Sequence, residues 1–571
     1  MKENVWVDAY TSLGDYEGAI YERINELGRG RLAERLWNKD ATLWKNEEKD
    51  RKLIVNALGW LDSPGKMESN LRELVDFADE VRAAGFEHVV HMGMGGSSLA
   101  PLAFQETFAV GPNGLPLTVL DTTDPATILG IEKRIPPANT LFIEASKSGS
   151  TVESRSFGEY FYGRVKAVKG DRAGENFAVI TDPGSMLAAL AKERGYRKIF
   201  LNFADIGGRY SALSYFGLVP AALMGMDIFQ LLDRGLQMAR ACGASMDPAE
   251  NPGVALGVVM GELAGQGRNK LTLLVPDSIA TLGMWLEQLI AESTGKEGMG
   301  ILPVTGEVMG SPSVYGTDRV FVYLRMESEV DDALDKAAKS LLEAGFPLVT
   351  IRMRDRFDLG RELFRWEIAT AVSGVVLGIN PFDQPNVQEA KDLTNRLLKE
   401  VREHGRLPAE EPSIVEESMQ LYGAGGPKTV GEALSRFLEQ AHEGDYIALL
   451  AYMTEDEATN RALQSIRAQL RDRLHVATTL GYGPRYLHST GQLHKGGPNT
   501  GLFLELTADD GEDVEIPGQP YSFGALRRAQ ALGDLEALRQ HGRRGLRFHL
   551  GSAVSRGLAV LERAIGQIAP R

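Results

Sequence analysis

Three loops of this 571-residue chain gather the side chains that could do chemistry. Gly93-Met94-Gly95-Gly96-Ser97-Ser98 follows an apolar run and precedes a helix-like segment from Leu99 to Phe108. Its glycines allow close backbone approach and the helix start offers free N–H groups, so Gly96 and Ser97 suit an anion. The spacing is not that of a Gly-x-Gly-x-x-Gly dinucleotide fingerprint and there is no Walker lysine, which turns the reading away from nucleotides. The second loop, Ser146 to Ser154, holds five hydroxyl residues in nine positions. A helix cap uses one or two of these. Ser146, Ser148, Ser150 and Thr151, with Lys147 among them, could surround one phosphate group with donors. The third loop, Gly207 to Ser214, sets Arg209 between a glycine pair and a helix start, well placed to face a cleft. All three lie where strands end, the ligand-binding edge of open α/β sheets.

Two further segments continue the series. Glu292-Ser293-Thr294-Gly295-Lys296 closes a helical stretch with Gln288 one turn earlier, and Asn380-Pro381-Phe382-Asp383-Gln384-Pro385-Asn386-Val387 leads to Lys391. In this order the five segments, spanning roughly Gly93 to Lys391, resemble the motifs of the phosphoglucose isomerase family, built from sugar isomerase (SIS) domains. The chain is especially similar to the isomerase half of transaldolase and phosphoglucose isomerase fusions, but its α/β segments leave no room for a transaldolase barrel. The resemblance implies reversible aldose–ketose isomerisation of glucose 6-phosphate and fructose 6-phosphate through a cis-enediol, with no metal and no cofactor. It implies Glu292 as the base. Arg209 fits the cation that stabilises charge developing on the substrate oxygens, Lys391 would help open the sugar ring, and Gln288 and Gln384 would hydrogen-bond substrate. Read from residues alone, Glu292 could equally be an exposed helical acid pairing with Lys296.

The pattern departs from the family's in one place. No histidine lies between Glu292 and Lys391, where the family carries a Gly-Gln-His motif that assists ring opening. Two histidines occur later, in His488-Ser489-Thr490-Gly491-Gln492-Leu493-His494-Lys495-Gly496-Gly497. An imidazole can exchange a proton with a ring oxygen near neutral pH. The Gly-Gln-Leu-His context selects His494 as the catalytic candidate, with His488 as a substrate contact; the alternative is that both are ordinary loop residues.

These groups need a scaffold, and the sequence supplies one. Apolar runs at His88 to Met92, Leu117 to Leu120, Leu141 to Ala145, Phe177 to Thr181 and Ile199 to Asn202 alternate with helix-length amphipathic segments. That alternation predicts a parallel sheet covered by helices. A second series runs from Leu271 to Ile351 and a third follows Tyr446, after a linker at Gly405 to Pro412. The expected fold is α/β: an N-terminal helical arm (1–65), two SIS-type parallel-sheet domains (66–235 and 236–405) and an extra C-terminal α/β region (406–571). A net charge of -15 argues against nucleic-acid or membrane-surface partners and leaves a small anion to be bound locally. The single cysteine, Cys242, excludes an internal disulfide or cysteine metal cluster. No run is long and apolar enough to span a membrane and no leader is apparent, so a cytoplasmic enzyme is expected, as a possible homodimer. Two alternatives stand beside it: a noncatalytic SIS-type sugar-phosphate sensor, and an isomerase acting on both glucose and mannose 6-phosphates.

Overall fold

The computed structural model describes residues 4–6, 9–408, 410–417 and 419–570. Three sheets organise them. The first has five parallel strands in the order Leu117–Leu120, His88–Met92, Thr140–Ala145, Phe177–Thr181 and Lys198–Leu201. Thr140–Ala145 and Phe177–Thr181 in its interior are buried along their whole length, which is why they read as largely apolar runs.

The second sheet has a parallel centre of Leu348–Met353, Arg319–Met326, Lys270–Leu274 and Leu302–Val304. The N-terminal segment departs from the expected helical arm here. Ala9–Ser12 is a strand that pairs antiparallel with Leu348–Ile351 before the first long helix, Glu17–Arg29, begins. Four residues with Ala9 and Thr11 inward carry little local signal, and the pairing across more than 300 residues of sequence is what makes them a strand.

The third sheet runs Ile414–Glu416, Met419–Tyr422, Arg544–His549, Gly501–Thr507, Tyr446–Tyr452 and Ala477–Tyr482, with the last four strands parallel. The segment expected to be a linker lies between the αL cap Gly405 of helix Val387–His404 and the first of these strands, with Ala409 outside the described residues.

One hydrophobic core joins the N-terminal helices to the first two sheets. At its centre helices Pro252–Gly265 and Leu359–Leu377 are almost wholly buried. Gly253, Gly257 and Gly261 form a stripe on which Ile368, Val372 and Val376 sit so closely that an added Cβ would fall within 2.7 Å of a neighbour at each. At roughly 1.5–3 kcal/mol for each large apolar side chain taken from water, such packing is the main force holding the frame. The third sheet has its own core, yet it is tied to the other two. Phe523 on helix Phe523–Gln540 stacks on Phe157 at 5.9 Å, and Tyr446, Phe503 and Leu493 share a cluster with Ala291 and Leu302. That docking brings residues of the third region to the loops of the first.

Candidate active site

The glycine loop turns sharply after strand His88–Met92. Gly95 has φ +53°, and a Cβ on Gly96 would lie 2.2 Å from the backbone of Gly208. Only glycine fits there, and the first and third loops therefore touch. Ser97 is buried, and its carbonyl lies 2.6 Å from Nε2 of the buried His91, which braces the loop from below.

The hydroxyl loop leads into helix Val152–Lys169, whose capping residue Thr151 makes no side-chain cap bond. The helix's first N–H groups thus open toward the loop, a favourable place for an anion. Ser148 and Ser150 hydroxyls lie 2.7 Å apart, and the Ser146 hydroxyl is 3.2 Å from that of Thr151 while accepting from the Gly149 amide. Most of these bonds run within the loop, so an incoming phosphate could replace them with stronger charge-assisted ones. Lys147 points elsewhere: its ammonium pairs with Asp182 and donates to the Ala204 carbonyl at 2.8 Å.

Glu292 sits in the last turn of helix Leu282–Thr294, buried against Arg209. Arg209 Nη1 lies 3.1 Å from Glu292 Oε1, and Gln288 Nε2 donates to Oε2 at 3.0 Å. The guanidinium is also held by Ser293 Oγ (2.8 Å), Gln384 Oε1 (3.1 Å), the Pro381 carbonyl (2.7 Å) and the Asp383 carbonyl (3.0 Å). Three of the five sequence segments therefore meet at one cation. The helix-face pair of Glu292 with Lys296 does not form. Lys296, past the helix end, is buried against Asp383 at 2.8 Å, and burial, reinforced by Arg209, brings its pKa down to about 8.

A cavity of about 200 Å³ opens beside this cluster, lined by Ser150, Thr151, Glu153, Lys391, His488 and Gln530 among others. His488 Nε2 lies 3.0 Å from Glu153 Oε1, and Gln530 Nε2 donates to the same carboxylate at 2.7 Å. Burial works against the Glu153 charge, but His488, the helix start and Lys391 together hold its carboxyl below the usual carboxylate range. Gln288 links the two clusters, because its Nε2 also donates to the His488 carbonyl at 2.8 Å. Lys391 is exposed at the cavity wall.

The two histidines lie in different surroundings, His488 at the cavity and His494 away from it. His494 does not line the cavity. Its ring is buried between Tyr446 and Phe503, with Nδ1 2.9 Å from the Tyr446 hydroxyl, and burial pushes its pKa well down. Its short helix, Gly491–Gly496, serves as a clamp: Gln492 donates to the Gly295 carbonyl at 2.9 Å and accepts from the Asn386 amide at 2.9 Å. A Cβ on Gly295 would lie 2.3 Å from Leu493, so this clamp sits directly on the Glu292 segment.

Glu153 and Gln530 received no role in the sequence reading. Glu153 left a signal, an acid in the first helical turn just after a hydroxyl-rich loop. Gln530, in the middle of a helix 377 positions away from its partner, left none. Among the described residues, no group of histidine, cysteine or acidic side chains could hold a metal ion, and no helix is long and apolar enough to cross a membrane.

Comparison with known proteins shows what the chain as a whole resembles. A profile of the phosphoglucose isomerase family matches residues 62–317. A glucose-6-phosphate isomerase of Rubrobacter xylanophilus is 30% identical over 401 residues, covering 60% of this chain and 89% of that protein. One from Carboxydothermus hydrogenoformans is 29% identical over 436 residues, covering 66% and 91%. Among solved structures, a glucose-6-phosphate isomerase of Chlamydia trachomatis superposes with a TM-score of 0.52 at 17% identity, over 69% of this chain and 89% of its own. A Thermus thermophilus protein described only as hypothetical gives 0.58 at 24% identity, over 68% and 99%.

Proposed function

This chain belongs to the phosphoglucose isomerase family, and from that premise we infer that it interconverts glucose 6-phosphate and fructose 6-phosphate by moving a proton between C1 and C2. The observation that carries the reading is the buried Arg209–Glu292 pair, a carboxylate and a fixed cation 3.1 Å apart where three loops converge.

In this reading Glu292 takes the proton from C2 of the open-chain aldose and returns it to C1, or the reverse. Gln288 and Arg209 orient the carboxylate, and the same guanidinium offsets the charge that grows on the substrate oxygens as the enediol forms. Ser146, Ser148, Ser150, Thr151 and the backbone at Gly96 and Ser97 hold the phosphate, whose binding energy positions the reacting carbons. The Glu153–His488 pair, with Lys391 across the cavity, is the proton-exchanging group for ring opening; its placement supports His488 for the role the sequence offered to His494. Gln384 acts through Arg209, and Lys147 reaches substrate only by leaving Asp182. The enzyme works in the cytoplasm, as a homodimer or alone, with each site built from residues of one chain.

The test is a coupled assay of fructose 6-phosphate conversion to glucose 6-phosphate by the native protein with no added metal, run beside mannose 6-phosphate. Turnover of the first pair alone supports the reading, and turnover of both extends it to C2 epimers. Tight sugar-phosphate binding without turnover replaces it with the sensor.

A further inference from the structure

A second cavity, of about 720 Å³, lies on the far side of helices Val387–His404 and Phe523–Gln540. It opens at the carboxyl ends of strands Gly501–Thr507 and Arg544–His549, bounded by Thr507 and His549. That is the end of a parallel sheet at which α/β folds bind ligands, and the volume lies within the usual range for a metabolite site.

Its charge runs against that of the protein. A chain of net charge -15 lines this cavity with five arginines, Arg396, Arg406, Arg528, Arg539 and Arg547, and two glutamates; Arg528 is paired with Asp510 and Asp513 outside the lining, and Arg539 and Arg547 share Glu410. Arg396 and Arg406 have no ion pair or side-chain hydrogen bond among the described residues, although both line the opening. Arg547 is more than nine-tenths buried. It gives one Nη2 bond to Glu410 at 2.6 Å, lies over the Tyr422 ring at 3.9 Å, and leaves its Nε without a partner. The acid beside it in register, Glu505, has both oxygens unpartnered, and burial together with the charge of Asp534 pushes its pKa well up. A fixed, under-neutralised cation at the cavity floor and free arginines at its mouth describe a receptor for negative charge.

We propose that this cleft is a second ligand site, separate from the Glu292 site, which binds a small metabolite carrying two or more phosphate charges. The two helices that wall it also face the 200 Å³ cavity, through Lys391 on one and Gln530 on the other. They touch closely, since a Cβ on Gly533 would lie 2.9 Å from Thr394. The proposal does not depend on the isomerase reading.

Pyrophosphate is the probe. Calorimetric titration at fixed ionic strength compares native protein with the surface double variant Arg396→Gln/Arg406→Gln, with citrate as a parallel titrant. The expected result is a pyrophosphate event in the native protein that weakens about a hundredfold in the variant, roughly tenfold for each charged hydrogen bond lost, while kcat/KM for fructose 6-phosphate stays within twofold. Equal pyrophosphate affinity in the two proteins overturns the proposal. So does a loss of binding matched by a loss of kcat/KM, which places the probe in the isomerase site. Citrate binding as tight as pyrophosphate overturns the phosphate class in favour of carboxylates.

Discussion

Replacing Glu292 by glutamine keeps the side-chain volume and removes the one group assigned to carry the proton. General-base catalysis contributes about 10²–10⁴-fold, so kcat should fall by at least a hundredfold, about 2.7 kcal/mol or more in barrier. The fold should survive. Breaking a buried ion pair costs about 3–5 kcal/mol when it strands the partner's charge, but Arg209 keeps four other acceptors between 2.7 and 3.1 Å. The new amide's oxygen can still accept from Arg209, which turns its NH₂ toward Gln288 Nε2, donor against donor. Gln288 can relieve the conflict by flipping its amide, because its Oε1 has no partner, at the expense of its bond to the His488 carbonyl. The net cost in stability should then be about 1–2 kcal/mol. The assay is the coupled isomerase reaction, with deuterium exchange from solvent into C2 of the substrate measured on the same samples. Isomerisation and exchange must fall together. A loss of kcat below tenfold, or exchange that persists when isomerisation has gone, would refute Glu292 as the base.

Two other predictions follow from neighbouring groups. His488→Ala and Glu153→Gln should each slow turnover of the cyclic sugar phosphate far more than solvent exchange of substrate already in open-chain form, whereas His494→Phe should leave that ratio unchanged; equal losses in both reactions would move ring opening elsewhere. Glu144, buried in the centre of the first sheet, has its pKa raised from the ordinary 4.5 to about 8 by burial and the charge of Glu159. Between those values the folded protein binds more protons than the unfolded chain. Stability should therefore decline as pH rises through this window, by about 1.4 kcal/mol for each unit over which the two states differ fully. Glu144→Gln should flatten that decline and be more stable than the native protein at pH 8, and parallel melting profiles from pH 5 to 8 would contradict the assignment.

The sequence made the central strands and the three loops readable because each announces itself locally. Strand Phe177–Thr181 is an unbroken apolar run, and the Gly93 to Ser98 loop carries glycines that no side chain could replace beside Gly208. Short strands such as Ala9–Ser12 and Met419–Tyr422 were not readable, since four residues gain their conformation from a partner far along the chain. The histidines show a different limit. His494 stands in a Gly-Gln-Leu-His context that only resembles Gly-Gln-His, and a six-residue helix has two faces, so whether a residue points to the cavity or to Tyr446 is decided by packing. Gln530 shows the limit at its plainest, as its meaning depends wholly on Glu153 being brought to it.

The clamp formed by Gly491–Gly496 on the Glu292 segment changes how the site responds to concentration. Loops of the first sheet, the Glu292 helix and the His488 segment all belong to one covalent chain, so their encounter is unimolecular and dilution does not separate them. A site shared between subunits is diluted away by mass action as its assembly dissociates. Here the third region meets the first two at an effective concentration set by the tether, and each chain that folds carries one set of these groups.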